Sequence, residues 1–257
     1  MPPRRAPSTR QPKTLGPKLK HPITAVIYGP PKAGKTTLAA NFPAVGFINV
    51  RENGIGDLQK WGHCKNAQVL ANANSWPNLI NALEKQIPDK IKTVVIDGLS
   101  GAQALAWEYS CQRDYGGSWD AFMDFFKGPR GPVRRLSQEF CDVLQDLYDD
   151  GKTIVTIAHL KIDTKGDIAS AYDSYQPDLD KGFWSPIEQW VGLIGLLKRQ
   201  ARVTKKGVKT TAGDDGLFLT INSEPAITAG NRMGVEGPID MGESGKEGFK
   251  NLVEAFS

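Results

Sequence analysis

Ile23-Thr24-Ala25-Val26-Ile27-Tyr28-Gly29-Pro30-Pro31-Lys32-Ala33-Gly34-Lys35-Thr36-Thr37-Leu38-Ala39-Ala40 changes character halfway along. A β-branched apolar run closes at Gly29, and a helix-forming run opens at Lys35. Between them stands G-x-x-x-x-G-K-T, a phosphate-binding loop in the strand-then-helix context that such a loop requires. Glycines let backbone N–H groups converge on phosphate oxygens without Cβ obstruction. The helix that follows turns its partially positive N-terminus towards the same anion. Gly29, Pro30, Pro31, Lys32, Ala33, Gly34, Lys35, Thr36 and Thr37 are therefore the expected phosphate cradle. Lys35 is expected to give a point charge to the β- and γ-phosphates, and the Thr36 hydroxyl to ligate Mg²⁺.

Strand and helix signals alternate outward from this loop. A helix is expected over Thr36–Asn41, ended by Pro43, followed by a strand over Val45–Val50. Gln68–Leu70 reads as a short strand, and Leu79, Ile80, Leu83 and Ile87 take helical spacing after Ser75. Lys92–Asp97 is a buried strand ending in a carboxylate, followed by a polar and aromatic insertion over Gly98–Pro132. An amphipathic helix from Val133 to Leu147 is capped by Gly151 and leads into the strand Lys152–Ala158, which stops at His159. A polar segment is expected over residues 161–185, then a strand over Trp190–Leu197. Arg199–Thr204 and Leu217–Asn222 suggest a hairpin about a Gly/Asp-rich turn, and Gly245–Phe256 a terminal helix. This order predicts an α/β domain over 22–257, with a mostly parallel sheet, helices on both faces and a C-terminal β-hairpin.

Asp97 stands where a carboxylate would hold the water shell of Mg²⁺. Gly98 follows it, so the adjacent Asp-Glu pair of AAA+ machines is missing and the general base must come from elsewhere. Glu52 lies just past the second strand, on the sheet edge where the phosphate loop sits, and is the candidate to orient or deprotonate water. The competing reading is an exposed loop carboxylate. His159 ends another strand at that edge and is either a γ-phosphate sensor or a structural histidine.

Charge is unevenly distributed. Six of the 32 basic residues (Arg4, Arg5, Arg10, Lys13, Lys18, Lys20) fall within the first twenty positions without an acidic residue, leaving 26 basic against 28 acidic in the body. Residues 1–21 read as a disordered basic tail, either an arm for nucleic acid or an inert leader. No apolar h-region follows the arginines, which argues against a signal peptide. Cys64, Cys111 and Cys141 form no C-x-x-C pair, in keeping with a reducing compartment. No apolar run has a membrane-spanning length of roughly 18 residues.

Ile27–Thr37, Phe47–Gly54, Thr93–Asp97, Ile154–His159 and Ala229–Gly234 together resemble the RecA-like P-loop ATPases carried by bacteriophages, relatives of single-strand-annealing recombinases. The resemblance spans roughly residues 22–240. It implies ATP and Mg²⁺ as cofactors, hydrolysis stimulated by DNA, and a cytoplasmic place in a bacterial host cell. It also implies Glu52 as catalytic glutamate, His159 as sensor and Arg232 reaching a neighbouring subunit's γ-phosphate. Gly230 stands where DnaB-type helicases carry a lysine in the corresponding Lys-x-Arg element. Implied partners are single-stranded DNA, further copies of the chain in a ring or DNA-assembled form, and a phage single-strand-binding protein. A GTPase reading fails because Leu160-Lys161-Ile162-Asp163 lacks the base-reading amide. A partition-ATPase reading fails because Pro30 follows the first loop glycine. A nucleotide-gated helicase-loader module with little turnover is the rival reading.

Overall fold

The computed structural model describes residues 19–166, 171–206 and 209–257, and only the backbone of 201–215. The basic tail through residue 18 lies outside the described residues. In chain order the elements begin β1 (Thr24–Gly29), α1 (Lys35–Ala39), β2 (Val45–Val50), α2 (Gly54–Lys60) and β3 (Gln68–Ala73). Next come α3 (Trp76–Lys85), β4 (Thr93–Asp97), α4 (Leu99–Tyr115), α5 (Trp119–Met123), α6 (Arg134–Asp149), β5 (Thr153–Lys165) and β6 (Tyr172–Pro177). The chain closes with α7 (Lys181–Trp190), β7 (Leu193–Lys206), β8 (Lys209–Thr220), β9 (Gly230–Asn231), β10 (Ile239–Asp240) and α8 (Gly245–Ala255).

The strands line up as β10-β8-β7-β1-β5-β4-β2-β3. From β7 to β3 every neighbouring pair is parallel. β1, β2, β4 and the first half of β5 are buried, largely apolar runs because both faces are covered, whereas the edge strand β3 is partly exposed. On one face Leu79, Leu83, Leu105, Phe140, Leu144 and Phe183 pack against Val26, Ile48 and Ile96. On the other, Leu38, Ile55, Phe249 and Leu252 pack against Ile27, Phe47 and Val95. The expected α/β fold, with helices on both faces of a mostly parallel sheet, is the fold observed.

Three segments differ from expectation. The expected Gly98–Pro132 insertion opens with α4, a seventeen-residue helix laid on the sheet. Its inward face sets Leu99 and Leu105 among small residues (Gly101, Ala102, Ala106), and a Cβ on Gly101 would lie 2.1 Å from the Val50 carbonyl oxygen. Such close helix-on-strand packing hides the periodicity of large apolar residues that marks a helix in sequence. Further on, Phe122 is fully buried beneath Trp107, Tyr115 and Trp119, with ring centroids 5.3–5.7 Å away. Most of the segment's aromatics are therefore packing groups.

The expected polar loop at 161–185 is instead the outer half of β5, paired antiparallel with β6, followed by the start of α7. Residues 167–170 lie outside the described residues. Beyond His159 the ribbon leaves the sandwich of helices, so its strands are polar and resemble a loop in composition.

The C-terminal hairpin is present but longer than expected. β7 fuses the strand expected over 190–197 with the first hairpin arm, and it pairs with β8 from Leu196↔Thr220 to Lys206↔Lys209. The Gly/Asp-rich stretch before Leu217 is not the turn. It belongs to β8, opposite a register shift between Gln200 and Ala201. Gly216, at φ +110°, supplies backbone that L side chains rarely adopt.

Candidate nucleotide-binding site

The C-terminal ends of four adjacent parallel strands bring the site together. Gly29 on β1 is in register with His159 on β5, Asp97 on β4 with Ile157 on β5, and Asn49 on β2 with Asp97. Glu52 follows β2 by two residues. Residues separated by more than a hundred positions thus meet at one edge, the usual place for ligands in open α/β sheets.

In the loop, Gly34 takes φ +96° and caps α1, directing the free N–H groups of the first turn outward. Gly29 is required for another reason: a Cβ there would lie 2.2 Å from the Leu197 carbonyl oxygen. Lys35 is buried, and its ammonium donates to the carbonyl oxygens of Gly29 and Pro30, each at 2.8 Å. Burial holds its pKa below the ordinary lysine value, opposed by the charges of Glu52 and Asp97. The cation is thus folded back on its own loop and available to a triphosphate.

The Thr36 hydroxyl donates to Asp97 Oδ2 at 3.1 Å, whereas Oδ1 of Asp97 is buried without a partner. A hydroxyl beside a half-satisfied carboxylate is an oxygen-only donor set that fits Mg²⁺. Asp97 is 1% exposed, and burial, then the Glu52 charge, raises its pKa from 3.8 to about 6. The folded chain therefore holds this proton to higher pH than the unfolded chain. The stability contributed by neutral Asp97 is complete below the unfolded value and is lost as pH rises through about 6. Metal capture needs the anion and runs the other way. Magnesium-dependent nucleotide affinity is expected to fall as pH drops through about 6, while ligand-free melting temperature rises over the same window. Calorimetric titration and thermal melting on either side of that pH, with Asp97→Asn as the pH-insensitive control, check both signs.

Glu52 and His159, read separately in the sequence, are partners. Nε2 of His159 lies 3.1 Å from Oε1 of Glu52. A carboxylate accepts, so Nε2–H donates and leaves Nδ1 as a buried nitrogen with no partner. Gly98 explains how the carboxylate fits, because a Cβ there would fall 2.4 Å from Glu52 Oε1. The room for the carboxylate next to Asp97 is left by a glycine, and the carboxylate arrives from the neighbouring strand.

These groups line a cleft of about 700 Å³ that also includes Pro31, Thr37, Gly54 and Asp57. Trp61, 84% exposed at its rim, escaped the sequence reading because no periodic or motif signal distinguishes it. Arg232 is not brought into this cleft. It follows β9, which pairs with the first residues of β7 at the opposite edge, and its guanidinium donates to the Gln189 carbonyl oxygen. There it shares a groove with Lys20, His21, Tyr148 and Trp190, so any contact with a γ-phosphate would have to be on another copy of the chain.

The profile of the AAA domain family matches residues 21–233, most of the chain, and the chain belongs to that family of P-loop ATPase domains. Comparison with curated proteins finds no match. Similar solved structures include a KaiC-like protein of Pyrococcus horikoshii OT3, at 12% identity and TM-score 0.46, covering 89% of this chain and 96% of that one. The flagellar accessory protein FlaH of Methanocaldococcus jannaschii matches at 10% identity and TM-score 0.43, covering 83% and 80%. Among the described residues no helix is long and apolar enough to cross a membrane.

Proposed function

We propose that this P-loop ATPase domain hydrolyses ATP with Mg²⁺ in response to single-stranded DNA, serving phage recombination, strand annealing or repair in the host cytoplasm. Lys35 and the loop N–H groups hold the phosphates, Thr36 and Asp97 hold the metal, and Glu52 orients and deprotonates water. Bound Mg²⁺ would neutralise charge developing on the β- and γ-phosphates. His159, seated between Gly29 and the Glu52 carboxylate, couples the γ-phosphate to the ribbon beyond it. Further copies in a ring or on DNA would supply Arg232 in trans, and a phage single-strand-binding protein is a fitting partner.

The observation that carries the DNA reading is the pair Phe125 and Phe126, 80% and 50% exposed. Both have left-handed backbone, φ +47° and +54°, a conformation that bulky residues avoid. Lys127 and Arg130 cover these rings at 5.6 Å, and a groove of about 600 Å³ continues past Arg130, Arg134 and Lys181. Flat rings flanked by cations suit unpaired bases and their phosphates. The groove also has a link to the catalytic pair: Asp178, three residues before Lys181, donates its backbone N–H to the His159 carbonyl oxygen at 2.9 Å.

Phe125→Ala/Phe126→Ala is expected to weaken binding of a fluorescent oligothymidine by about 5- to 150-fold for each ring that stacks a base, the stacking worth of roughly 1–3 kcal/mol per base. ATP affinity should be unchanged and DNA-stimulated turnover lost. Unaltered DNA affinity in the folded double variant excludes this surface. The rival loader module draws support from Lys35 and Glu52 both being engaged within the chain. ATP turnover that stays negligible with saturating single strands would favour it.

A further inference from the structure

Asn49 is 2% exposed and is the Cα partner of Asp97 across the β2–β4 ladder. Side chains alternate along a strand, so Asn49 shares a face with Phe47, Val95 and Asp97, on the side that carries α1 and α2. Its Nδ2 donates to Oδ1 of Asn72 on β3 at 2.8 Å. Asp97, Asn49 and Asn72 therefore form a polar row across three strands, on the face where the apolar residues Phe47 and Val95 precede them. Oδ1 of Asn49 and Oδ1 of Asp97 are both buried acceptors without a hydrogen-bond partner. Buried acceptors are nearly always satisfied in native proteins, so two at adjacent positions call for a donor the chain itself does not supply.

A water bound to Mg²⁺ commits its lone pair to the metal and can only donate outward. Acceptors that surround such waters fix the ion's position without touching it. We propose that Asn49 is a positioning residue for the metal, its Oδ1 accepting from a water of the magnesium shell that Asp97 holds. Asn72 fixes which way the amide points. The inference rests on the magnesium–nucleotide reading of the cleft and assigns Asn49 no contact with the phosphates or the attacking water.

Asn49→Leu preserves shape and removes both amide groups. If the amide were only a strand residue, metal dependence would not change: the Oδ1 removed has no partner, and the Asn72 oxygen that loses its donor is on an exposed residue open to water. The expected result is a rise of about 10- to 100-fold in half-saturating Mg²⁺, the usual scale for losing an outer-shell partner. KM for ATP at saturating Mg²⁺ should be unchanged. Mn²⁺ binding in the presence of a non-hydrolysable ATP analogue, followed by electron paramagnetic resonance, should weaken in parallel without any turnover. Asn72→Ala, at an exposed position that leaves the core intact, should shift both readouts in the same direction by a smaller factor. Unchanged metal dependence in folded Asn49→Leu, or in Asn72→Ala should the first variant not fold, overturns the inference while leaving the nucleotide site standing. Absence of Mg²⁺-dependent nucleotide binding in the unmodified protein overturns both.

Discussion

Glu52→Gln is expected to bind ATP as the unmodified protein does and to turn it over about 10²–10⁴-fold more slowly, the usual scale of general base catalysis. The substitution isolates the proton acceptor. Glutamine has the same length, fits the space left by Gly98, and its amide oxygen still accepts from Nε2 of His159. The phosphate loop, Thr36 and Asp97 are untouched, so affinity for ATP and Mg²⁺ should hold. A pre-steady-state experiment separates the possibilities: a slow chemical step with normal binding assigns the base. Unchanged turnover would reduce Glu52 to the partner that keeps His159 in place. In that case the base would have to be sought among the other groups lining the cleft.

The core of this architecture was legible because its central strands are mostly apolar and three of them stop at a residue that breaks the run. Gly29, Asp97 and His159 mark the ends of β1 and β4 and the end of the buried half of β5, and the observed ladder pairs Gly29 with His159 and sets Asp97 two residues short of that level. What the sequence did not carry was contact between elements. α4 was missed because Gly101 and its small neighbours trade side-chain bulk for close approach to Val50. The β5–β6 ribbon was missed because it leaves the core, so the apolar signal of a strand disappears while its backbone pairing continues.

The site shows the same division. The residue types of the phosphate loop follow from local chemistry and could be read position by position. The Glu52–His159 hydrogen bond spans 107 residues of sequence and exists only because β2 and β5 flank β4. Asn49 reads as an ordinary strand residue until its register with Asp97 is known. Arg232 was legible as a candidate by resemblance alone, and its place at the opposite edge keeps it out of this chain's own cleft.

Lys35→Ala is expected to cost the largest share of nucleotide affinity. The ammonium is the buried cation at the head of α1, and no other lysine or arginine described at the cleft is buried with it. Losing a charge-assisted contact to a phosphate is worth about 1.5–3 kcal/mol, or roughly 10- to 150-fold in the dissociation constant. In the ligand-free protein the ammonium donates to the Gly29 and Pro30 carbonyl oxygens, so its removal takes a donor from each, although Pro30 keeps the Ala33 N–H. Against that, alanine relieves the desolvation that lowers the lysine's pKa, and the two effects oppose each other in stability. Thermal melting reads both quantities in one experiment. ATP at about 100 times its dissociation constant should stabilise the unmodified protein by about 2.7 kcal/mol. At the same ATP concentration Lys35→Ala should keep only about 0.3–1.4 kcal/mol of that stabilisation, while the ligand-free transition stays close to its original temperature. Lys35→Met, which keeps most of the stem without the charge, should behave like alanine towards ATP. A full ATP-induced shift in either variant would place the triphosphate somewhere other than this loop.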